Sequence, residues 1–542
     1  MQRRLFLSRS LATSLTLASA AASFPGSLRA ADLQSMDVLR RSRGGTLTTL
    51  DPHRALSSVD LEVAAECFTA LTRVDADGAI VPAGASRWQI SSDGRRYEFV
   101  LRGDLRWSNG AKIEAADVVA SIRRLLHPET GALLAYRYDA IKGAAAYRLG
   151  EAAAPTLGVS APATDRVTIE LGHPDTDLLK LLALAYIVPT RLITLRGTDW
   201  AKPPSIVVSG AYLPTSWTQN GSLLLERQPY GQSAVHGLTA IRRVEWLMGV
   251  DDTTRWRLFK SGELDLAQIG EPSVLTMARR ESPKALRSTP YYGGGWVGLN
   301  LRKTWLRDLK FRRMLALSVD RQVLVEKVRV LGERASESLV PEAVQDYPDR
   351  ARPVHAGWPL SRRLAEAQAL AESLGLSRAR PRRLTAIFSS NNLTQRTFLA
   401  LDAMWAPLGV RLDLRGLESR AYSLALNQGD FDLMDYSPFS AVQSAASFIG
   451  RFQSASFLNY SGYSNTEVDR LIALAEQQQA APERARYYRD AEALLLRDLP
   501  VIPLYSGITH RLIGTRVRGW TASAALALPS AYLSIAQGGS TT

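Results

Sequence analysis

The side chains best able to do chemistry are thinly spread along this chain of 542 residues. Its six histidines, His53, His127, His173, His236, His355 and His510, stand far apart. None falls in an HExxH or His-x-His spacing, so the sequence places no pair to share a metal ion. Cys67 is the one cysteine, which excludes an intramolecular disulfide and a cysteine-based metal site. Within EVAAECFTAL it reads as a small buried residue on a helix. There is no GxSxG elbow for a nucleophilic serine and no GxxxxGK phosphate loop. The glycine run 293–295 leads into Trp296, not Lys, and reads as a backbone bend. DADG at 75–78 is a turn, because Ser86 stands where a calcium loop needs its closing Glu. Carboxylate pairs such as Asp251-Asp252 and Asp430/Asp432 occur in any large chain. Catalysis needs a convergent set of titratable groups, and the sequence offers none. The expectation is a binding protein with no catalytic residue, no metal and no cofactor.

One stretch has the opposite character. Residues 435–452 read DYSPFSAVQSAASFIGRF, and from Tyr436 to Gly450 there is no charge, no His and no Cys. A core strand would carry more Val, Ile and Leu; a flexible linker would carry less aromatic weight. Small neutral side chains suit the wall of a cleft where a ligand backbone must come close.

The elements that would position such a wall follow from periodicity. The length calls for two or three domains. An apolar content of 46% and a charged content of 22% describe an ordinary globular protein. The formal charge is +14, but the basic residues are mostly Arg and scattered, so no nucleic-acid stripe is formed. MQRRLFLSRS, an apolar run and SLRA before AD give the order of an export signal over 1–30, cleaved near Ala30. Arg3-Arg4 gives it a twin-arginine look. GTLTTLDPHRA predicts a strand broken at Asp51-Pro52, and SSVDLEVAAECFTALT a helix with Ser58 as N-cap. Tyr97, Phe99 and Leu101 alternate as in a half-buried strand. Asn109-Gly110 marks a tight turn, and Val118, Val119, Ile122, Leu125 and Leu126 lie at helical spacing up to Pro128. Further strands are expected at 166–171, 221–228, 242–248, 384–390 and 410–417. Helices are expected at 311–330, 361–374, 394–406, 465–479 and 482–498, with Gly375 following the second of these as its C′ residue. Strands alternating with helices predict α/β domains.

Seven ordered segments carry a resemblance. They are LDPHRALSSVD (50–60), the run from AIVPAGASRW to SIRRLLHP (79–128), SGAYLPTSWTQNGSLLLERQPY (209–230), LFKSGELDLA (258–267), DLKFRRMLALSVDRQVLVEKV (308–328), NYSGYSNTEVDRLIALA (459–475) and LLLRDLPVIPLYSGITHRLIG (494–514). Together they resemble the oligopeptide/dipeptide/nickel-binding type of ABC-importer receptor, the family 5 extracellular solute-binding proteins. The resemblance covers nearly all of the chain after the signal. It implies a periplasmic-binding-protein-like α/β fold of two hinged lobes. The first lobe would be 31–68, 191–292 and 509–542, the extra domain it carries 69–190, and the second lobe 293–508. It implies a periplasmic monomer that captures a short peptide or peptide-like solute and docks on the permease and ATPase subunits of an importer.

The same resemblance assigns the neutral run to a cleft strand, with Ser437, Phe439 and Ala441 along it and Ser57 and Ser58 on an opposing strand. It adds Trp296, Ser419, Arg420 and Tyr505 as ligand-facing residues. It also shows a departure. Peptide binders carry Trp-x-x-Asp-Tyr here, the Asp holding the peptide ammonium; a gapless count puts Pro438 at the Trp and Ala441 at the Asp. A buried ammonium without a partner costs about 3–5 kcal/mol. Either the ligand lacks a free amine (a modified or cyclic peptide, a sugar-like or opine-like solute), or Asp435 takes over the role, or Asp435 is only a solvated strand-end charge. A disulfide common in the family is absent, with Gly293 and Phe439 at its positions. Other readings are a metal chelate as ligand, an exported hydrolase, and a periplasmic chaperone.

Overall fold

The structure is a computed structural model that describes residues 38–55, 57–75, 77–231, 241–524 and 529–536. The expected export signal, its cleavage point and His236 lie outside the described residues. No helix among the described residues is long and apolar enough to cross a membrane.

The alternation of strands and helices builds one 11-stranded mixed sheet and a separate four-stranded sheet. Two long strands, Leu286–Leu299 and Val501–Ile513, run antiparallel through the middle of the larger sheet. At one end the second of them pairs with Leu266–Ile269, which pairs in turn with Val38–Ser42. At the other end the first pairs with Leu433–Tyr436, beside the parallel strands Arg382–Ser389 and Val410–Leu417. These two crossing strands therefore join two bodies, each with its own core. The first is packed around Leu39, Phe68, Tyr212 and Trp246; the second is packed in two clusters, one around Trp296 and Phe448 and one around Trp405. The boundaries expected at 292/293 and 508/509 fall within the crossing strands.

The glycine run sits where the pairing register slips, between Pro290 and Gly294 and again between Gly295 and Trp296. Close approach explains the glycines. A Cβ on Gly294 would stand 2.4 Å from the carbonyl oxygen of Tyr505, and one on Gly295 2.2 Å from the Tyr505 ring. Gly293 and Phe439 face each other across an isolated bridge.

The four-stranded antiparallel sheet, Ala85–Ile90, Arg96–Leu101, Arg166–Glu170 and Val159–Ala163, belongs to the expected extra domain. Tyr97, Phe99 and Leu101 are buried while Arg96 is exposed, as alternation requires. Each such burial contributes about 2 kcal/mol. The helix Ala115–Leu126 buries Val118, Val119, Ile122, Leu125 and Leu126. It ends at His127, which Pro128 holds in an extended conformation. The loop after Trp107 closes through Trp107 N–H on Ala111 O and Gly110 N–H on Trp107 O, with φ +87° at Gly110.

Three sequence expectations need correction. The stretch 45–50 is not a strand: the Thr48 amide and hydroxyl both donate to the Asp60 carboxylate, so they are turned from any ladder. The next helix, α1 (Ser58–Cys67), is capped by Ser57 and not Ser58, because Ser57 and Asp60 form a reciprocal capping box. The helix expected over 311–330 is broken. Leu309–Ser318 stops at Val319, and Asp320 caps a new turn by accepting the Val323 amide. Cys67 is buried on α1, and Gly375 takes φ +67° after the helix Leu360–Ser373, as the sequence indicates.

Candidate functional site

The neutral run forms one wall of a cleft between the two bodies, though of its residues Tyr436 alone is strand. The strand ends at Tyr436, and the chain then runs on past Pro438, which carries no N–H. Its inner edge is tied to the first crossing strand: Gly294 N–H donates to Pro438 O at 3.1 Å and Ser440 N–H to Tyr292 O at 2.7 Å. Its outer edge is unpaired. Among the described residues, the amides of Ser437, Phe439 and Ala441 have no hydrogen-bond partner, nor do the carbonyls of Ser437 and Ala441. The Phe439 carbonyl accepts from Arg451 Nη2 at 3.0 Å. Beyond Ala441 the run turns, with Ser440 Oγ donating to Val442 O, and becomes helical at Ala446–Ile449.

Two cavities lie against that free edge, and α1 borders both. One, of 220 Å³, is lined by Ser437, Phe439 and Tyr291 on one side and Arg43, Ser58 and Glu62 on the other. The second, of 130 Å³, is lined by Ala441 with Leu61, Ala65 and Phe68. The first is polar on the α1 side. Arg43 pairs with Glu62 and donates to Ser58 Oγ at 2.9 Å; Arg41 pairs with Glu66 at 2.9 Å and stacks over Trp246 at 4.0 Å. Arg511 borders the same cavity, and its pKa is lowered by burial and by Arg43 and Arg41, against the pull of Glu62. Burial also pushes the Glu66 carboxyl up, against the pull of Arg41 and Ser530. A larger groove of 1030 Å³ lies elsewhere. Its lining residues come from 48–54, 120–130 and 190–219, so lobe closure does not shape it.

The expected ligand residues divide accordingly. Ser58, Ser437, Phe439 and Ala441 line the two cavities. Ser57 and Ser58 do not form an opposing strand: they begin α1, where Ser57 caps and Ser58 accepts from Arg43. Trp296 is 2% exposed and sits among Tyr436, Phe448 and Phe452. Tyr505 is buried over Gly295, with the Arg329 guanidinium 4.1 Å from its ring. Ser419 and Arg420 open the exposed helix Ser419–Gln428, away from both cavities. Asp435 accepts from Ser437 Oγ at 3.1 Å, and its main-chain carbonyl accepts from the Tyr422 hydroxyl. Burial pushes the Asp435 carboxyl up, while Ser437 and Arg329 pull it down. Asp435 does not border the chamber at Ala441, which lies six residues or about 20 Å of extended chain away. Arg43, Glu62, Arg73, Tyr291 and Arg511 escape sequence reading. Each is an ordinary residue in its own segment and gains a role only where distant segments meet.

The bodies touch on either side of the cleft. His510 Nε2 lies 2.7 Å from Leu331 O, and its Nδ1 2.8 Å from Ser288 Oγ. Lys180 pairs with Asp346 at 2.9 Å and donates to Gln443 O at 2.6 Å. Ser444 Oγ donates to Asp177, and Arg396 pairs with Glu271 at 3.2 Å. No group of His, Cys, Asp and Glu among the described residues is placed to hold a metal ion.

Two bodies joined by two crossing strands, closed over a cleft with a free backbone edge, define a hinged solute-binding protein. Residues 79–459 match the family model described as "Bacterial extracellular solute-binding proteins, family 5 Middle". The chain belongs to that family. It is 30% identical over 493 residues to the probable deoxycholate-binding periplasmic protein YgiS of Escherichia coli, spanning 90% of this chain and 91% of that one. To the periplasmic oligopeptide-binding protein OppA of Salmonella typhimurium it is 28% identical over 530 residues, 96% of each chain. The fold matches the murein tripeptide binding protein MppA of Escherichia coli with a TM-score of 0.86 at 24% identity, covering 92% of this chain and 99% of that one. Against the unliganded open form of MppA the score is 0.72, so the lobes here stand nearer the former arrangement. Like these relatives, the protein is an extracytoplasmic solute-binding protein of the periplasm.

Proposed function

We propose that this protein captures a short peptide or peptide-like solute between α1 and residues 437–441. The closed, loaded form then docks on the permease of an ABC importer, whose ATPase subunits drive uptake. The carrying observation is the row of unpaired amides at Ser437, Phe439 and Ala441, each alternate residue along one edge. An extended ligand adds to such an edge as a strand, and main-chain bonds hold it regardless of side chain. Small side chains along the run leave room for varied ligands. Ligand contacts with both lobes shift the hinge equilibrium toward the closed state.

The protein works as a monomer, without cofactor, and breaks no bond. The Ser288–His510 contact is a strut of the hinge and not a catalytic pair. Burial lowers the His510 pKa to about 4, so it takes no proton from a serine hydroxyl near neutral pH. A peptide-like solute without a free amine fits better than a free-amine peptide, because no carboxylate borders the chamber at Ala441 among the described residues.

The test is native mass spectrometry of the purified protein, followed by melting curves with the released solute and with a tripeptide panel. A retained small solute that raises the melting temperature by mass action is expected. Ala441→Pro, which removes an unpaired N–H, should weaken binding by roughly fivefold. Hydrolysis of peptides or esters by the pure protein, or no response to any small solute, would overturn the reading.

A further inference from the structure

The chamber at Ala441 is lined by apolar side chains, by the hydroxyl-bearing Thr69, Thr72, Tyr186 and Tyr532, and by one charge. Leu61, Ala65, Phe68 and Leu184 border it, and Arg73 is the charged residue among its described lining residues. Arg73 lies on the short strand Thr72–Val74, with its guanidinium 4.9 Å from the Tyr532 ring centre. Unlike Arg41 and Arg43, it has a ring contact but no carboxylate partner among the described residues. Arg41 and Arg43 have Glu66 and Glu62, whereas no carboxylate among the described residues comes within ion-pairing distance of Arg73. Its Nε is shut off from solvent and has no hydrogen-bond partner. Buried donors are almost always bonded in native proteins, and a guanidinium has five N–H groups arranged for a planar oxyanion. Ala441, on the same chamber, contributes a second unpaired donor in its amide.

The Arg73 guanidinium and the Ala441 amide both donate, and no negative charge faces them among the described residues. An ammonium would find no acceptor charge here and would be repelled by Arg73. We propose that the bound solute presents a carboxylate at this end, held by Arg73, with an apolar body lying against α1. The charge selectivity of the Ala441 end is thus the reverse of an amine anchor. This rests on the cleft being the ligand site, and it narrows the ligand to solutes carrying an acid where a free peptide carries its amine.

The experiment uses the mature full-length protein and three versions of one apolar tripeptide, with a free, an N-acetylated and an N-succinylated amino end, measured by titration calorimetry. Deoxycholate and its methyl ester form a second arm without a peptide body. The succinyl form should bind about tenfold to a hundredfold tighter than the acetyl form, in keeping with a charge-assisted hydrogen bond. Arg73→Gln should erase that ratio while leaving the acetyl form within about threefold of wild type, and Ala441→Asp should turn the preference toward the free amine. A wild-type protein that binds the free amine tightest, or an Arg73→Gln variant with the ratio intact, overturns the inference. Equal binding of all three peptides sinks the inference and leaves the peptide reading standing. Failure of all three, with deoxycholate bound and its ester not, does the opposite. Failure of every probe sinks both. The wild-type ratio needs no variant, so a misfolded substitution cannot mask the answer.

Discussion

The bodies meet along two fronts built on opposite principles. Along the cleft, the second body offers backbone: a neutral run with a free edge, facing cavities of 220 and 130 Å³. Along the flank it meets residues 136–177 across a 470 Å³ cavity crowded with charge, where Asp139, Asp175, Asp177, Asp469 and Glu476 mix with Arg137, Arg148 and Arg484. The same neutral run serves both fronts. Ser437, Phe439 and Ala441 face the cleft, while Gln443, Ser444 and Ser447 are gripped by Lys180, Asp177 and Arg137. What differs is the source of closing energy. The cleft has unmade bonds that only a ligand can complete; the flank closes with bonds the protein makes itself. A receptor needs both, because self-made contacts alone would shut it empty and ligand contacts alone would have to supply all the closing energy.

Both fronts depend on the crossing strands. Gly294→Val puts a side chain within 2.4 Å of the Tyr505 carbonyl, and backbone cannot yield as a flexible side chain would. It should cost about 1–3 kcal/mol of stability, read as a lowered urea midpoint, and should abolish binding on both counts. An unchanged midpoint would mean the crossing strands tolerate a wider spacing, and the hinge would need to be placed elsewhere.

The second substitution separates the fronts. Lys180 holds the flank through Asp346 and the Gln443 carbonyl. Lys180→Met keeps the apolar stem and loses both contacts together with the Asp177 pair at 3.0 Å, leaving Asp346 and Asp177 short of a partner. Because the pair is partly exposed, the closed state should lose about 1–2 kcal/mol. The solute dissociation constant should rise by up to thirtyfold, with the free edge untouched. Small-angle scattering of the ligand-free protein should then report a more open average. Unchanged affinity would show that the flank contributes nothing to closing.

How far the sequence reaches follows the same division. Patterns carried by neighbours in the chain are legible: the helix Ala115–Leu126, the alternation of Tyr97, Phe99 and Leu101, and the neutrality of 436–450. Resemblance to the family supplies the lobes, which no local pattern could. The failures occur where a side chain takes a backbone's partner. Asp60 draws off Thr48 and so cancels a strand, and Asp320 interrupts a helix whose apolar spacing runs on regardless. Charge is least legible of all. Arg73 and Arg43 look alike in sequence, and only the fold shows that one is paired and the other is not. Trp296 and Tyr505 illustrate the converse: the resemblance makes both ligand-facing, but the glycines of 293–295 admit the Tyr505 ring itself, and Trp296 fills the core.

The last prediction sets the two fronts against each other by pH. On the flank, burial pushes the Glu476 carboxyl up to about 7; Arg137 opposes this, and Asp175, Asp177 and Asp139 add to it. His173, Tyr488, Arg148, Arg484 and Asp469 border the same cavity. Asp175 is likewise raised by burial and by Asp177, whereas Lys180 and Arg137 hold Asp177 low. Opening the flank returns Glu476 and Asp175 to water, so closing binds protons. Affinity coupled to closure must therefore increase as pH falls from about 7 toward the ordinary carboxylate range, and level off on either side. The buried histidines act on overall stability in the other direction. His53 and His510 are held neutral with pKa values lowered to about 4, chiefly by burial. Their contribution is complete above 6.5 and is lost as pH drops toward 4. Between pH 7.5 and 5.5 the protein should thus bind its solute roughly tenfold more tightly, while its melting temperature changes little, because the histidine loss opposes the gain from Glu476 and Asp175. Glu476→Gln mimics the protonated side chain, so it should flatten most of the affinity profile near its acid value and, with one acid-stabilising group gone, make the melting temperature fall more steeply on acidification. Affinity and melting temperature that fall together on acidification would show that the flank carboxylates do not titrate with closure. The cleft alone would then set the energetics of binding.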